Sequence, residues 1–196
     1  MGDIQWKFLN FADNKLRSFR DWNCEWTVGE WKETLGEPVI GRTGYHSAPT
    51  IPEALCMRAS LVLAQVECGG KHMESDHQSV WQKMKIIKVW NITLDVLDRF
   101  YLLAVTREIE QHPEYEMKQE TLRDIKSGIS RIEPNWVSTY KDNWYLHINT
   151  LRYDPAINNT DLRIASPAND LQKIWTEELL PTLTEFNLGR LYYHGN

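Results

Sequence analysis

Apolar and polar residues alternate at a period of two from Ile4 to Phe8 and again from Cys24 to Val28, the spacing of half-buried strands. Asp21 to Asn23 and Gly29 supply turn signals between and after them, and Gly36, Pro38 and Gly41 punctuate a loop. At Thr50 the pattern changes. Thr50-Ile51-Pro52-Glu53 fits a capping box, with Thr50 as N-cap, Pro52 in the first turn and Glu53 reaching back, and predicts a helix from Ile51 to about Ala59. Leu61 to Cys68 is nearly continuously apolar and reads as a buried strand, which Gly69-Gly70 is expected to stop. After the polar segment Lys71 to Gln78, the β-branched and aromatic residues from Ser79 to Trp90 predict a second long strand.

From Thr93 the period lengthens to that of a helix. Leu94, Leu97, Tyr101, Ala104 and Val105 share one face, widened by Val96, Phe100 and Leu103, which predicts a packed helix from about Leu94 to Gln111. Pro113 and Glu114 open a second helix with the stripe Tyr115, Leu122, Ile125, Ile129 and Ile132, ending before Pro134. A strand is read at Trp144 to Ile148. Ser166-Pro167 caps a last helix whose core face is Leu171, Ile174, Trp175 and Leu179, broken by Pro181. The expected fold is α+β: a small mixed or antiparallel sheet with a helix in residues 1–93, and a predominantly helical part in residues 94–196 packed on it as one unit.

Composition narrows the function classes. With 42% hydrophobic and 25% charged residues the chain is of ordinary globular make-up, and no apolar run reaches the length of a membrane span. Met-Gly-Asp-Ile-Gln-Trp-Lys-Phe lacks the basic-then-apolar order of a secretory signal, so the expected location is the cytoplasm. Lysines and arginines balance acidic residues 11 to 11 over residues 1–93 and stand 11 against 16 over residues 94–196, which places the net charge of -5 in the second half. That balance disfavours nucleic acid as a partner. Lys83, Lys85 and Lys88 form a local basic cluster that reads as a solvated strand face. Cys24, Cys56 and Cys68 are widely spaced and odd in number, which fits reduced, buried thiols better than disulfides or zinc. Of the nine tryptophans, Trp22, Trp26 and Trp31 lie close together, and core packing is the favoured reading for most.

The candidate chemistry centres on Gly44-Tyr45-His46-Ser47. Gly44 permits a sharp turn, and an aromatic ring, an imidazole and a hydroxyl follow just before a helix N-terminus, whose amides and dipole favour an anion. Gln65 and Glu67, at the end of the buried strand, are expected to project into the same cleft. His72-Met73-Glu74-Ser75-Asp76-His77 offers four potential ligands within six residues, but one loop does not complete a metal shell and a solvated loop is the stronger reading; no metal is expected.

Cys24-Glu25-Trp26-Thr27-Val28-Gly29-Glu30-Trp31, followed by Gly44-Tyr45-His46-Ser47 and Val62-Leu63-Ala64-Gln65-Val66, resembles a group of small proteins common in phages and bacteria, a likeness that covers about the first half and carries no reaction with it. More distantly, the order Gly44 to Ser47, Ile51 to Ala59, Leu63 to Gly69 and Val80 to Val89 is similar to that of the ADP-ribosyltransferase fold of poly(ADP-ribose) polymerases and related toxins. That resemblance implies NAD as cofactor, with Tyr45 stacking on nicotinamide, His46 or Ser47 orienting the ribose, and a Glu before the last strand that is not plainly present, so that Glu74, Asp76 or Gln78 would have to serve. The chain departs from the pattern in offering Trp6-Lys7-Phe8-Leu9 where such enzymes have a His-Gly or an Arg.

Together these readings give a cleft lined by Tyr45, His46, Ser47, Gln65, Glu67, Glu74 and Gln78 that binds NAD or another phosphate-bearing nucleotide and transfers ADP-ribose. His46, Glu74 and Gln78 are the candidate catalytic residues. The alternative is a non-enzymatic binding protein, for example a phage product that sequesters a host protein or a nucleotide signal. An exposed patch around Trp22, Trp26 and Trp31 would favour that alternative.

Overall fold

Strand β1 (Asp3–Ala12) ends in the pair Asp13 and Asn14, with φ of 52° and 59°. Two consecutive left-handed residues of this type make the tight turn that matches strand twist, and the chain returns as β2 (Lys15–Arg17). The computed structural model describes residues 2–18, 21, 23–57, 60, 62–75, 78–93, 95–97, 99–100, 103–104, 107 and 168–185, with Cys56 and residues 168–170 described by backbone alone. By its contacts the chain divides into two units, Met1–Ile92 with Thr182–Asn196, and Thr93–Pro181.

The first unit is a coiled antiparallel sheet, a half-barrel. After β3 (Glu25–Trp26), β4 (Trp31–Glu33) and β5 (Tyr45–Ser47) comes the helix α1 (Ile51–Met57), then the long strands β6 (Val62–Ser75) and β7 (Gln78–Asn91). The strand order is β3-β2-β1-β6-β7-β4, with β5 also on β7. Two isolated bridges, Trp6 to Ala48 and Val28 to Ile86, stitch the short segments to the long strands. Of the two sheet types left open by sequence, antiparallel is the one adopted.

Leu9, Leu16, Trp26, Val66, Met84 and Ile86 belong to the core cluster on the inner face. Trp6, Phe8 and Leu63 alternate with residues of that face and are buried too, Trp6 lying 5.9 Å from Trp90 between ring centroids. Both faces of β1 and β6 are therefore covered, which explains the near-continuous apolar run in β6.

The expected capping box is present. Thr50 Oγ1 donates to Glu53 Oε2 at 2.7 Å, and the Glu53 amide donates back to Thr50 Oγ1 at 3.3 Å. One expectation fails: Gly69-Gly70 does not end β6. Gly70 takes φ of 78° and the register shifts between Gly69 and His72, so the glycine pair forms a bulge rather than a stop. The polar residues beyond it stay paired because a β-ladder needs only backbone groups.

In the second unit residues 95–97, 99–100, 103–104 and 107 are helical, with Leu97, Phe100 and Ala104 buried as expected. A helix over Ala168–Lys173 widens into a π-turn at Ile174–Leu179. A 3-10 turn at Leu180–Thr182 then contains Pro181. Leu171, Ile174, Trp175 and Leu179 are buried, the expected core face. The helix opened by Pro113, the strand at 144–148 and the Ser166-Pro167 cap lie outside the described residues. What is described is sheet-rich with few helices.

Candidate functional site

Lys7 lies in the middle of β1 opposite Ala64, on the inner face of the half-barrel beside Leu9 and Gln5. Its Nζ donates to the His46 carbonyl at 2.7 Å and stands 5.8 Å from the centroid of the Trp26 ring. Among the described residues no carboxylate pairs with it. Lys7 keeps partial exposure as a residue, but its ammonium is enclosed, and burial lowers its pKa to about 8 against the pull of the neighbouring Cys24 and Cys68. An ammonium has three N–H donors, and the one direct acceptor seen here leaves two to spare.

Lys32 reaches the same ring from the other side of the sheet path. It pairs in register with the core residue Met84, and its Nζ lies 5.7 Å from the Trp26 centroid. Glu25 feels its charge but is already engaged by Lys15 at 2.9 Å and Arg17 at 3.1 Å. The Trp26 ring is held by its Nε1–H, which donates to Ser18 Oγ at 2.7 Å, and by Tyr45, edge-on at 5.2 Å. Burial raises the Tyr45 pKa, with smaller pushes from Cys24 and Glu33, so the phenol stays neutral. Trp81, opposite Tyr45 in register, is buried in the same core cluster, and its Nε1–H meets no acceptor.

His46 and Ser47 are positioned differently from one another. The amide of Gly41 donates to His46 Nε2 at 2.8 Å, which leaves the proton of a neutral ring on Nδ1 and ties the imidazole to the preceding loop. Ser47 is fully buried; its hydroxyl donates to Gln5 Oε1 at 2.9 Å and lies 3.7 Å from Cys68 Sγ. A hydroxyl carries one proton, so the thiol is the donor in the second contact. Burial pushes Cys68 up to about 12, and it remains a thiol. Cys24 and Cys68 are both free, Cys68 buried and Cys24 half-buried.

The other expected site residues divide into two groups. Ser47, Ser79 and Glu74 form one row across β5, β7 and β6, and Gln78 adjoins it, so the register brings Glu74 and Gln78 towards the Tyr45–Ser47 strand. Glu74 is exposed, 3.5 Å from His72 Nε2, whose ring stacks on Trp81 at 4.4 Å. Gln65 and Glu67 alternate with Ala64, Val66 and Cys68 and face away from the interior; Glu67 is bound to Lys85 at 2.6 Å, which lowers its pKa. They do not join the cleft expected for them. Nor does the N-terminus of α1 offer free amides, because Thr50 and Glu53 occupy them.

Asp76 and His77 of the proposed ligand loop lie outside the described residues, as does Trp22. Among the described residues no group of three or more His, Cys, Asp or Glu is arranged to hold a metal ion. Trp26 is buried at 4% exposure while Trp31 is 47% exposed, so those two do not share an exposed patch. No helix among the described residues is long and apolar enough to cross a membrane.

Sequence reasoning missed Lys7 and Lys32. In an alternating strand Gln5 and Lys7 would be assigned to solvent, and only the bulky apolar residues interleaved with them, followed directly by Leu9, hint that both faces are covered. Compared with family models, with curated proteins and with solved structures, the chain matches none. The chemistry of the interior is therefore the ground for a functional reading.

Proposed function

We propose that the region around Lys7, Lys32 and Tyr45 binds a phosphate-bearing nucleotide such as NAD or ADP-ribose. The observation that carries this reading is Lys7, an enclosed cation with spare donors and no carboxylate partner among the described residues, facing a tryptophan that a second lysine also approaches. Phosphate oxygens would accept from the two Lys7 donors that the His46 carbonyl leaves over. Tyr45, half-buried against the core ring of Trp26, supplies an aromatic face suited to a base or nicotinamide ring.

The test is thermal unfolding with millimolar NAD, ADP-ribose, nucleotides and inorganic pyrophosphate. A ligand at about 100 times its dissociation constant stabilises by about 2.7 kcal/mol, a rise of roughly 5 to 10 °C for a chain of this size. Lys32→Gln should reduce the rise, and absence of a rise with every ligand would overturn the reading.

Transfer of ADP-ribose is a second reading, favoured by the row of Ser47, Ser79 and Glu74 beside Tyr45. In it Tyr45 stacks on the nicotinamide, His46 or Ser47 orients the ribose, and Glu74 stabilises the positive charge that develops as nicotinamide leaves, while Gln78 alternates onto the opposite strand face. Release of nicotinamide from NAD, lost in Glu74→Gln, is its expected outcome. NAD that binds without turnover would leave binding alone.

A further inference from the structure

Beyond the bulge at Gly69-Gly70 the strand β6 changes its surroundings. Strand β1 pairs with it only as far as Cys68, so among the described residues β7 is the one strand that holds His72 to Ser75. Gly70, with φ of 78°, and the register shift after Gly69 set this end apart from the rest of the ladder. Its side chains are exposed, and a segment of this kind opens more readily than the core strands. Ser75 Oγ ties it to β7 by donating to the Gln78 carbonyl at 3.3 Å. Closer to the bulge, the His72 ring lies on the Trp81 ring, with centroids 4.4 Å apart and planes 19° from parallel.

We propose that His72 is a proton-operated clasp that closes this end of the β6–β7 hairpin in acid. Two neutral stacked rings attract weakly, whereas an imidazolium over an indole face adds the attraction of a cation for the ring quadrupole. The same proton completes an ion pair, because Glu74 Oε1 lies 3.5 Å from His72 Nε2 on the same face of the strand. Trp81 is a fixed anchor, 2% exposed and in register with Tyr45 of β5 on its far side. His72 keeps 45% of its side-chain surface in water, so protons exchange with the ring while the hairpin is closed.

The cations on either side are already engaged, Lys71 with Glu37 at 2.5 Å and Lys83 with Glu33 at 3.0 Å. Tyr45, beyond Trp81, stays a neutral phenol. Among the described residues, then, Glu74 is the charged group that answers an imidazolium here. An imidazole gains its charge as pH falls from about 8 to about 5. The ion pair and the cation–ring attraction exist only in the charged form, so the closure they add is present at the acid end of that range and is lost as pH rises through it. With it goes the hold on Glu74, whose carboxylate is released to other partners at higher pH.

No ligand is needed to test this, and success or failure of nucleotide binding does not bear on it. Amide hydrogen exchange of the full chain at pH 5 and pH 8, corrected for intrinsic rates and read by peptide mass, compares residues 72–75 with Val62–Cys68. Wild-type protection at residues 72–75 is expected to be about three- to tenfold higher at pH 5 than at pH 8, the scale of one exposed cation–ring contact and one surface ion pair, with no matching rise at Val62–Cys68. His72→Phe keeps a ring on Trp81 but takes up no proton, and its ratio should be close to one. A wild-type ratio at residues 72–75 no higher than that at Val62–Cys68 would overturn the proposal without reference to any variant, and so would a rise that His72→Phe reproduces.

Discussion

Lys7 and Lys85 lie in the same sheet, on strands separated only by β6, and are treated in opposite ways. On the outer face Lys85 meets Glu67 at 2.6 Å and covers Trp31 with its ammonium 4.7 Å from the ring centroid. On the inner face Lys7 meets an aromatic ring and a carbonyl but no carboxylate among the described residues. The outer pair is a half-buried cross-strand contact that water still reaches, of the kind that contributes little to stability. The inner lysine carries a desolvation penalty that its carbonyl acceptor and the nearby ring offset only in part, so its pKa stays lowered. On the proposed reading, a ligand phosphate would accept from the two Lys7 donors that the His46 carbonyl leaves over.

The comparison can first be broken at the shared ring. Trp26→Ala removes the aromatic wall that both interior lysines face, and as a large-to-small change in the core it should cost about 3 to 5 kcal/mol in urea unfolding. A much smaller loss would mean that Trp26 is not the organising element of the interior.

Replacing the cation should act in the other direction. Lys7→Met keeps length and apolar packing while removing the charge, and near neutral pH it should stabilise the free protein by a figure on the order of 3 kcal/mol. The sign follows from the lowered pKa. Below about 8 both folded and unfolded chains hold the proton and the folded one bears the full penalty; between about 8 and 10.5 the unfolded chain binds more protons, so wild-type stability rises with pH. The advantage of Lys7→Met should therefore shrink as pH rises through that window, which paired urea titrations at pH 7 and pH 10 would read.

The outer face should respond least. Glu67→Gln breaks the ion pair with Lys85 in a solvated setting, and the melting temperature should move by less than about 2 °C. The Glu67 carboxyl is held below its usual range, chiefly by its hydrogen bond with Lys85, so the contribution is present above that range and fades as pH falls through it. A large effect would show that the outer pair is not the passive member of the comparison.

How far the sequence reveals this arrangement depends on how local each signal is. Thr50 and Glu53 announce α1 because both halves of a capping box lie within one turn. Leu171, Ile174, Trp175 and Leu179 declare a buried face by spacing alone. Gly69-Gly70 misleads because the same flexibility serves a strand end or a bulge, and only pairing with β7 decides. The Asp13-Asn14 turn carries its own signal, two residues tolerant of positive φ, yet it stands in a polar stretch without a clear partner strand. Gly44 to Ser47 reads as a turn before a helix, and only pairing with β7 makes Tyr45 to Ser47 a strand. The inner position of Lys7 is not legible, because it depends on β2, β3 and β4 curling the sheet over β1, contacts set by residues far away in sequence. For the same reason Gln65 and Glu67 look like neighbours of Ser47 but alternate onto the opposite face.

The most direct test of the account is the melting of wild type and Lys7→Met at pH 7, each with and without millimolar ADP-ribose. The account predicts a variant that melts higher than wild type alone and no longer responds to the ligand, while wild type rises by roughly 5 to 10 °C. A Lys7→Met protein that melts lower than wild type and shows the same ligand-induced rise would contradict it, since Lys7 would then be a structural residue and the ligand would bind elsewhere.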